Sequence, residues 1–133
     1  MVRLMRSVQG WAWAAGAITV ALGVAHDAVL STQLDGVASL TQDNQDGIAW
    51  LFLCTGTAVA FAGALCIVTA RGMARGEPGA RRVTLAACIF LALLGMGGVV
   101  LHQMGALSLI ALAVLSFVPW WRTRRAADSG GVR

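Results

Sequence analysis

The stretch VTLAACIFLALLGMGGVVLHQMGALSLIALAVLSFVPWW, Val83 to Trp121, holds 39 residues and no charged side chain. As one helix at 1.5 Å per residue it would reach about 58 Å. A bilayer's hydrocarbon core is only about 30 Å thick. The run is therefore expected to fold back, and HQMG, His102 to Gly105, is its polar, glycine-bearing break. Two spans result, about 83–101 and 105–121.

The same reading extends toward the N-terminus. QGWAWAAGAITVALGVA opens a span at about 8–30, and IAWLFLCTGTAVAFAGALCIVTA fills one at about 48–70. No arginine or lysine lies between Arg6 and Arg71. The whole chain of 133 residues is 58% hydrophobic and only 12% charged, against about a quarter charged in a soluble domain. So short a chain has too little interior to hide that much apolar surface, so the surplus faces lipid. Backbone polar groups in lipid must be satisfied within their own segment, which selects helices. The expected fold is all-α: an integral membrane antiparallel four-helix bundle in a single domain, residues 1–125, followed by a short polar tail, 126–133.

Charge gives the expected orientation. Arg3 and Arg6 precede the first span; Arg71, Arg75, Arg81 and Arg82 separate the second and third; Arg122, Arg124, Arg125 and Arg133 follow the fourth. The opposite side carries Asp35, Asp43 and Asp46, with Asp27 at its edge, and no arginine. The positive-inside bias places both termini in the cytoplasm of a cell membrane. Trp11, Trp13, Trp120 and Trp121 then form one interfacial belt, with Trp50 at the other. The net charge of +4 is accounted for by span-flanking arginines, which argues against a nucleic-acid partner and for attraction to anionic headgroups. Arg3 and Arg6 before an apolar run also suit a signal peptide, but the run exceeds an h-region and no A-x-A site follows it. The absence of lysine beside abundant Ala, Gly and Arg fits a GC-rich bacterial genome.

Helices in lipid associate where small residues let backbones approach. Ala12, Gly16, Thr19 and Gly23 form such a stripe on the first span, continued by His26 with Asp27 at its margin. Ala49, Gly56, Ala60 and Gly63 form another on the second. Thr84, Cys88, Gly95, Gly98 and His102 share a face of the third, and Gly105, Ser108 and Leu112 make a weaker stripe on the fourth. The first and third spans run parallel, so His26 and His102 are expected at similar depth, near the outer surface and pointing inward. The small-residue faces also offer contacts to a second copy or a larger membrane partner.

The polar site expected there comprises His26, Asp27, Asp46, Cys54 and His102. Its simplest account is structural, a polar pair closing the outer end of the bundle where water is near. Functional accounts compete with it. His26 and His102 could ligate a haem between parallel helices, or bind zinc or copper with Asp27 or Cys54. A His26–Asp27 pair could take up protons in a coupled transporter, since a carboxylate raises the pKa of its histidine neighbour; the second and fourth spans, however, offer no mid-membrane acid or base. A membrane enzyme acting on a lipid or isoprenoid could use His26, Asp27 and Asp46 as acid and base. No nucleophile-elbow, zinc-protease or phosphate-loop motif is present, and Cys54, Cys66 and Cys88 are too far apart in sequence for a C-x-x-C site. The balance favours a non-catalytic accessory or binding component. Asp46 reads as the N-cap of the second span, with DNQDG as the turn before it; an EF-hand reading of this loop fails because its twelfth position is Leu53.

Overall fold

The computed structural model describes residues 2–100 and 106–130. Among these residues the chain is entirely helical, with no strand. Its helices are α1 (Val2–Ala28), α2 (Leu30–Asp35), α3 (Gln42–Ala74), α4 (Pro78–Val100) and α5 (Ala106–Gly130). Among the described residues three segments are long and apolar enough to cross a membrane: Arg6–Ala28, Gln42–Ala74 and Pro78–Val100. Such helices fit a lipid environment. α4, to Val100, and α5, from Ala106, pack against each other; the break expected at His102 to Gly105 lies outside the described residues.

Packing is sequential and circular. α1 lies along α3, α3 against α4, α4 against α5, and α5 returns to α1. Two apolar clusters occupy the interior. Val59, Cys66, Ala87, Leu91 and Leu112 form one across α3, α4 and α5. Ala12, Ala70, Met73 and Ala80, with Trp120 packed on them, form the other. The second cluster joins the beginnings of α1 and α4 to the ends of α3 and α5, so the arginine-bearing ends gather at one end of the molecule.

The α1–α3 seam is built from glycine. Gly16 faces Gly63 and Gly23 faces Gly56, seven residues apart on each helix and in opposite chain directions. A Cβ built on Gly16 would stand 2.7 Å from the Gly63 carbonyl oxygen, and one on Gly63 equally close to the Gly16 oxygen. Real side chains do not approach backbone that closely, so only glycine permits this contact. Ala12 and Thr19 are buried on the same stripe. In lipid, where burying apolar surface gains little, such close backbone packing is a principal source of association.

The two buried threonine hydroxyls are satisfied locally. Thr19 donates to the Ala15 carbonyl at 2.8 Å and Thr84 to the Ala80 carbonyl at 3.0 Å, each one turn back. Thr69 and Thr84 also meet across α3 and α4 at 2.9 Å. Ser116 Oγ is buried without a hydrogen-bond partner; its polar neighbour is the Cys66 thiol, a weak acceptor and donor at best.

Pro119 lies inside α5. Proline has no N–H, so the carbonyl four residues back loses its helical donor. That carbonyl belongs to Leu115, and the Trp11 indole N–H donates to it at 3.0 Å. An indole on α1 thereby replaces the missing bond in α5 and ties the two helices together.

The α3–α4 connection is a tight reversal. Gly76 has φ of 76°, its N–H bonds to the Met73 carbonyl, and the Glu77 N–H bonds to the Gly72 carbonyl, both at 2.9 Å. This is a Schellman motif with glycine in the left-handed position it favours. Pro78 then occupies the first turn of α4, where its absent N–H is not needed.

Two details differ from the sequence reading. α3 starts at Gln42 behind the N-cap residue Thr41, which makes no side-chain capping bond. Asp46 is therefore not an N-cap, and DNQDG is helix, not turn. Gln42 Nε2 donates to Asp46 Oδ1 at 2.8 Å, an i,i+4 pair that supports the first turns. Asp43 in the first turn meets the positive end of the helix dipole. Gln45 Nε2 reaches back to the Leu40 carbonyl at 2.9 Å, satisfying the loop instead. On α5 the buried face runs through Leu112, Ala113 and Ser116, whereas Ser108 is exposed.

Candidate functional site

The last turn of α1 carries His26 and Asp27 side by side. A carboxylate here faces the negative end of the helix dipole, an unfavourable place unless donors are supplied. α3 supplies one: Thr57 Oγ1 donates to Asp27 Oδ2 at 3.2 Å. His26 Nδ1 lies 3.5 Å from Asp27 Oδ1, the outer limit of a hydrogen bond. α3 also makes room for the carboxylate, because the space a Cβ on Gly56 would fill is occupied by Asp27 Oδ1 and Cγ. The His26 ring stacks on Phe52, with centroids 3.8 Å apart and planes inclined by 19°.

The site follows from the glycine seam. The Gly23–Gly56 contact brings the backbones together one turn before Asp27, so the carboxylate drops onto α3 at Gly56 and Thr57. The imidazole, one residue earlier, lies over Phe52. Both polar side chains stay reachable, with 37% of the His26 and 23% of the Asp27 side chain exposed. The pair is therefore anchored on one side and open on the other. It can accept or donate hydrogen bonds and carry a charge pair when the imidazole is protonated, and its open edge can meet a ligand or partner.

Two of the other expected members, Asp46 and Cys54, lie elsewhere. Asp46 sits six residues before Phe52 on α3, about 9 Å along the axis, and bonds to Gln42. Cys54 is exposed and free, and its position two residues from Phe52 turns it to another face of α3. His102 lies outside the described residues. Among the described residues no three His, Cys, Asp or Glu side chains gather as a metal site would require. Cys66 and Cys88 are buried and free.

Phe52 and Thr57 are not singled out by the sequence reading, and Gly56 enters it only as a packing residue of the second span. The signal that finds them is the matched spacing of Gly16 and Gly23 with Gly56 and Gly63, which fixes the antiparallel register and sets Asp27 beside residues 52 to 57.

Compared with known protein families, with curated proteins and with solved structures, the chain matches none.

Proposed function

We propose that this chain is a four-span protein of a bacterial cell membrane, with both termini in the cytoplasm, that acts as a non-catalytic accessory or binding component. Its recognition element is the His26–Asp27 pair with Thr57, at the outer end of the bundle. The supporting observation is the Asp27 carboxylate, seated over Gly56 and bonded to Thr57 while its own edge and the imidazole remain open. A carboxylate within or beside a membrane span is costly and is retained where it does something. α5 supplies the fourth crossing, and α1, α3, α4 and α5 alternate in direction around the bundle. The arginine-rich end lies in the cytoplasm by the positive-inside bias.

Affinity purification of the full chain from native membranes tests the reading. The accessory role predicts colourless protein that brings down a larger membrane partner, with recovery of that partner falling severalfold in Asp27→Asn and His26→Ala. Unchanged recovery in both variants would remove the pair from recognition.

One observation favours a second reading, a haem- or metal-binding redox protein using His26 and His102. Nδ1 of His26 is turned toward Asp27, the carboxylate–histidine arrangement that orients a ligating imidazole. That reading predicts a Soret band or stoichiometric metal on the purified protein, lost in His26→Ala and in His102→Ala.

A further inference from the structure

We propose that the arginine-rich end of the bundle holds one anionic phospholipid, its phosphate bound by Arg81 and Arg124 beside Trp120 and its acyl chain lying along the flank of α5. Arg81 from the first turn of α4 and Arg124 near the end of α5 converge on one indole. Their guanidinium carbons lie 6.0 Å and 5.5 Å from the Trp120 ring centroid. A guanidinium near an aromatic face gains cation–π attraction. Its N–H groups lie in its own plane, where they can form paired bonds to phosphate oxygens.

Two cations drawn to one ring repel each other unless an anion joins them. Glu77, one turn before Arg81, is paired with Arg75 and does not join the two guanidinium groups. An anion from outside the chain can bridge them. At the end of an apolar bundle, beside interfacial tryptophans, the anion at hand is a lipid phosphate.

The apolar half of the ligand has a place too. Phe117 stacks on Trp120 with centroids 4.9 Å apart and also forms the wall of a shallow groove of about 270 Å³. Val118, Trp121 and Arg122 complete its lining. The groove is apolar along its length and cationic at its rim, which matches a lipid chain joined to a phosphate.

Native mass spectrometry of the detergent-purified full chain decides the matter, with phosphatidylglycerol and phosphatidylcholine of identical acyl chains added in turn. The wild type should carry one phosphatidylglycerol at occupancy at least tenfold above phosphatidylcholine. Arg81→Gln with Arg124→Gln should bring the two lipids level. Arg71→Gln with Arg82→Gln removes the same charge from the same end but away from Trp120, and should keep binding within twofold of wild type. Should the first double variant fail to fold, Arg124→Gln alone, at an exposed helical position, must lower occupancy at least threefold. Equal binding of both lipids by the wild type overturns the proposal. So does a loss in the Arg71/Arg82 variant as large as that in the Arg81/Arg124 variant, which would mean general attraction without a site.

Discussion

Gly23→Leu should prevent stable packing of α1 on α3, leaving a protein that is helical but has no cooperative thermal transition in detergent. Even a methyl group has no room. A Cβ at residue 23 would stand 2.5 Å from both the Ala60 nitrogen and the Gly56 carbonyl oxygen. These are backbone atoms, so relief requires moving a whole helix. Overpacking of this kind typically costs about 1–3 kcal/mol, and Gly23→Ala should fall in the upper half of that interval. The steric account is separable from any general effect of glycine. A Cβ at Gly10 or Gly97 meets nothing within 4 Å, so alanine there should be neutral or gain up to about 1 kcal/mol from helix propensity. Circular dichroism melts of the three alanine variants compare them directly. If Gly23→Ala melted with Gly10→Ala, the seam would not be what joins the helices.

Trp11→Phe should destabilise the protein by about 1–2 kcal/mol, the cost of leaving a backbone acceptor without its donor. The effect should depend on Pro119. With Pro119→Ala, residue 119 regains an N–H, and the Leu115 carbonyl can be satisfied within α5. Trp11→Phe should then cost little, so a double-mutant cycle should return a coupling of about 1 kcal/mol. Trp13→Phe is the matching control, because Trp13 is exposed as Trp11 is, but it is the Trp11 indole that bonds to Leu115. Strict additivity of Trp11→Phe and Pro119→Ala would show that the indole does not stand in for the proline's missing N–H.

Much of this architecture can be read from the chain because lipid imposes simple demands. Long uncharged runs become helices, and small residues mark where helices meet. Ala12, Gly16, Thr19 and Gly23 are all buried as the stripe on α1 requires, and Thr84, Cys88 and Gly95 are buried on α4. The rule weakens where a helix is apolar all round. On α3, Ala49 and Ala60 are only half-buried while Val59 and Ala62 are buried. On α5 the packed face is chosen by Leu112, Ala113 and Ser116, and nothing in their type separates them from their neighbours. DNQDG misleads for another reason: its composition favours a turn, but the Gln42–Asp46 bond and the helix dipole at Asp43 favour continuing the helix. At the site, His26 and Asp27 are conspicuous because they are ionisable. Thr57 and Phe52 are ordinary residues whose part depends on a register between two helices.

The central claim is that lipid surrounds these helices and that the aspartate-bearing and arginine-bearing ends lie on opposite faces of one membrane. Cysteine labelling tests it most directly. Cys54, Cys66 and Cys88 are first replaced, and single cysteines are then placed at Ser39, at Gly79 and at Thr123. An impermeant maleimide should label Ser39→Cys in intact cells, and should reach Gly79→Cys and Thr123→Cys only after permeabilisation. Labelling of Ser39→Cys and Gly79→Cys from the same face would contradict the arrangement.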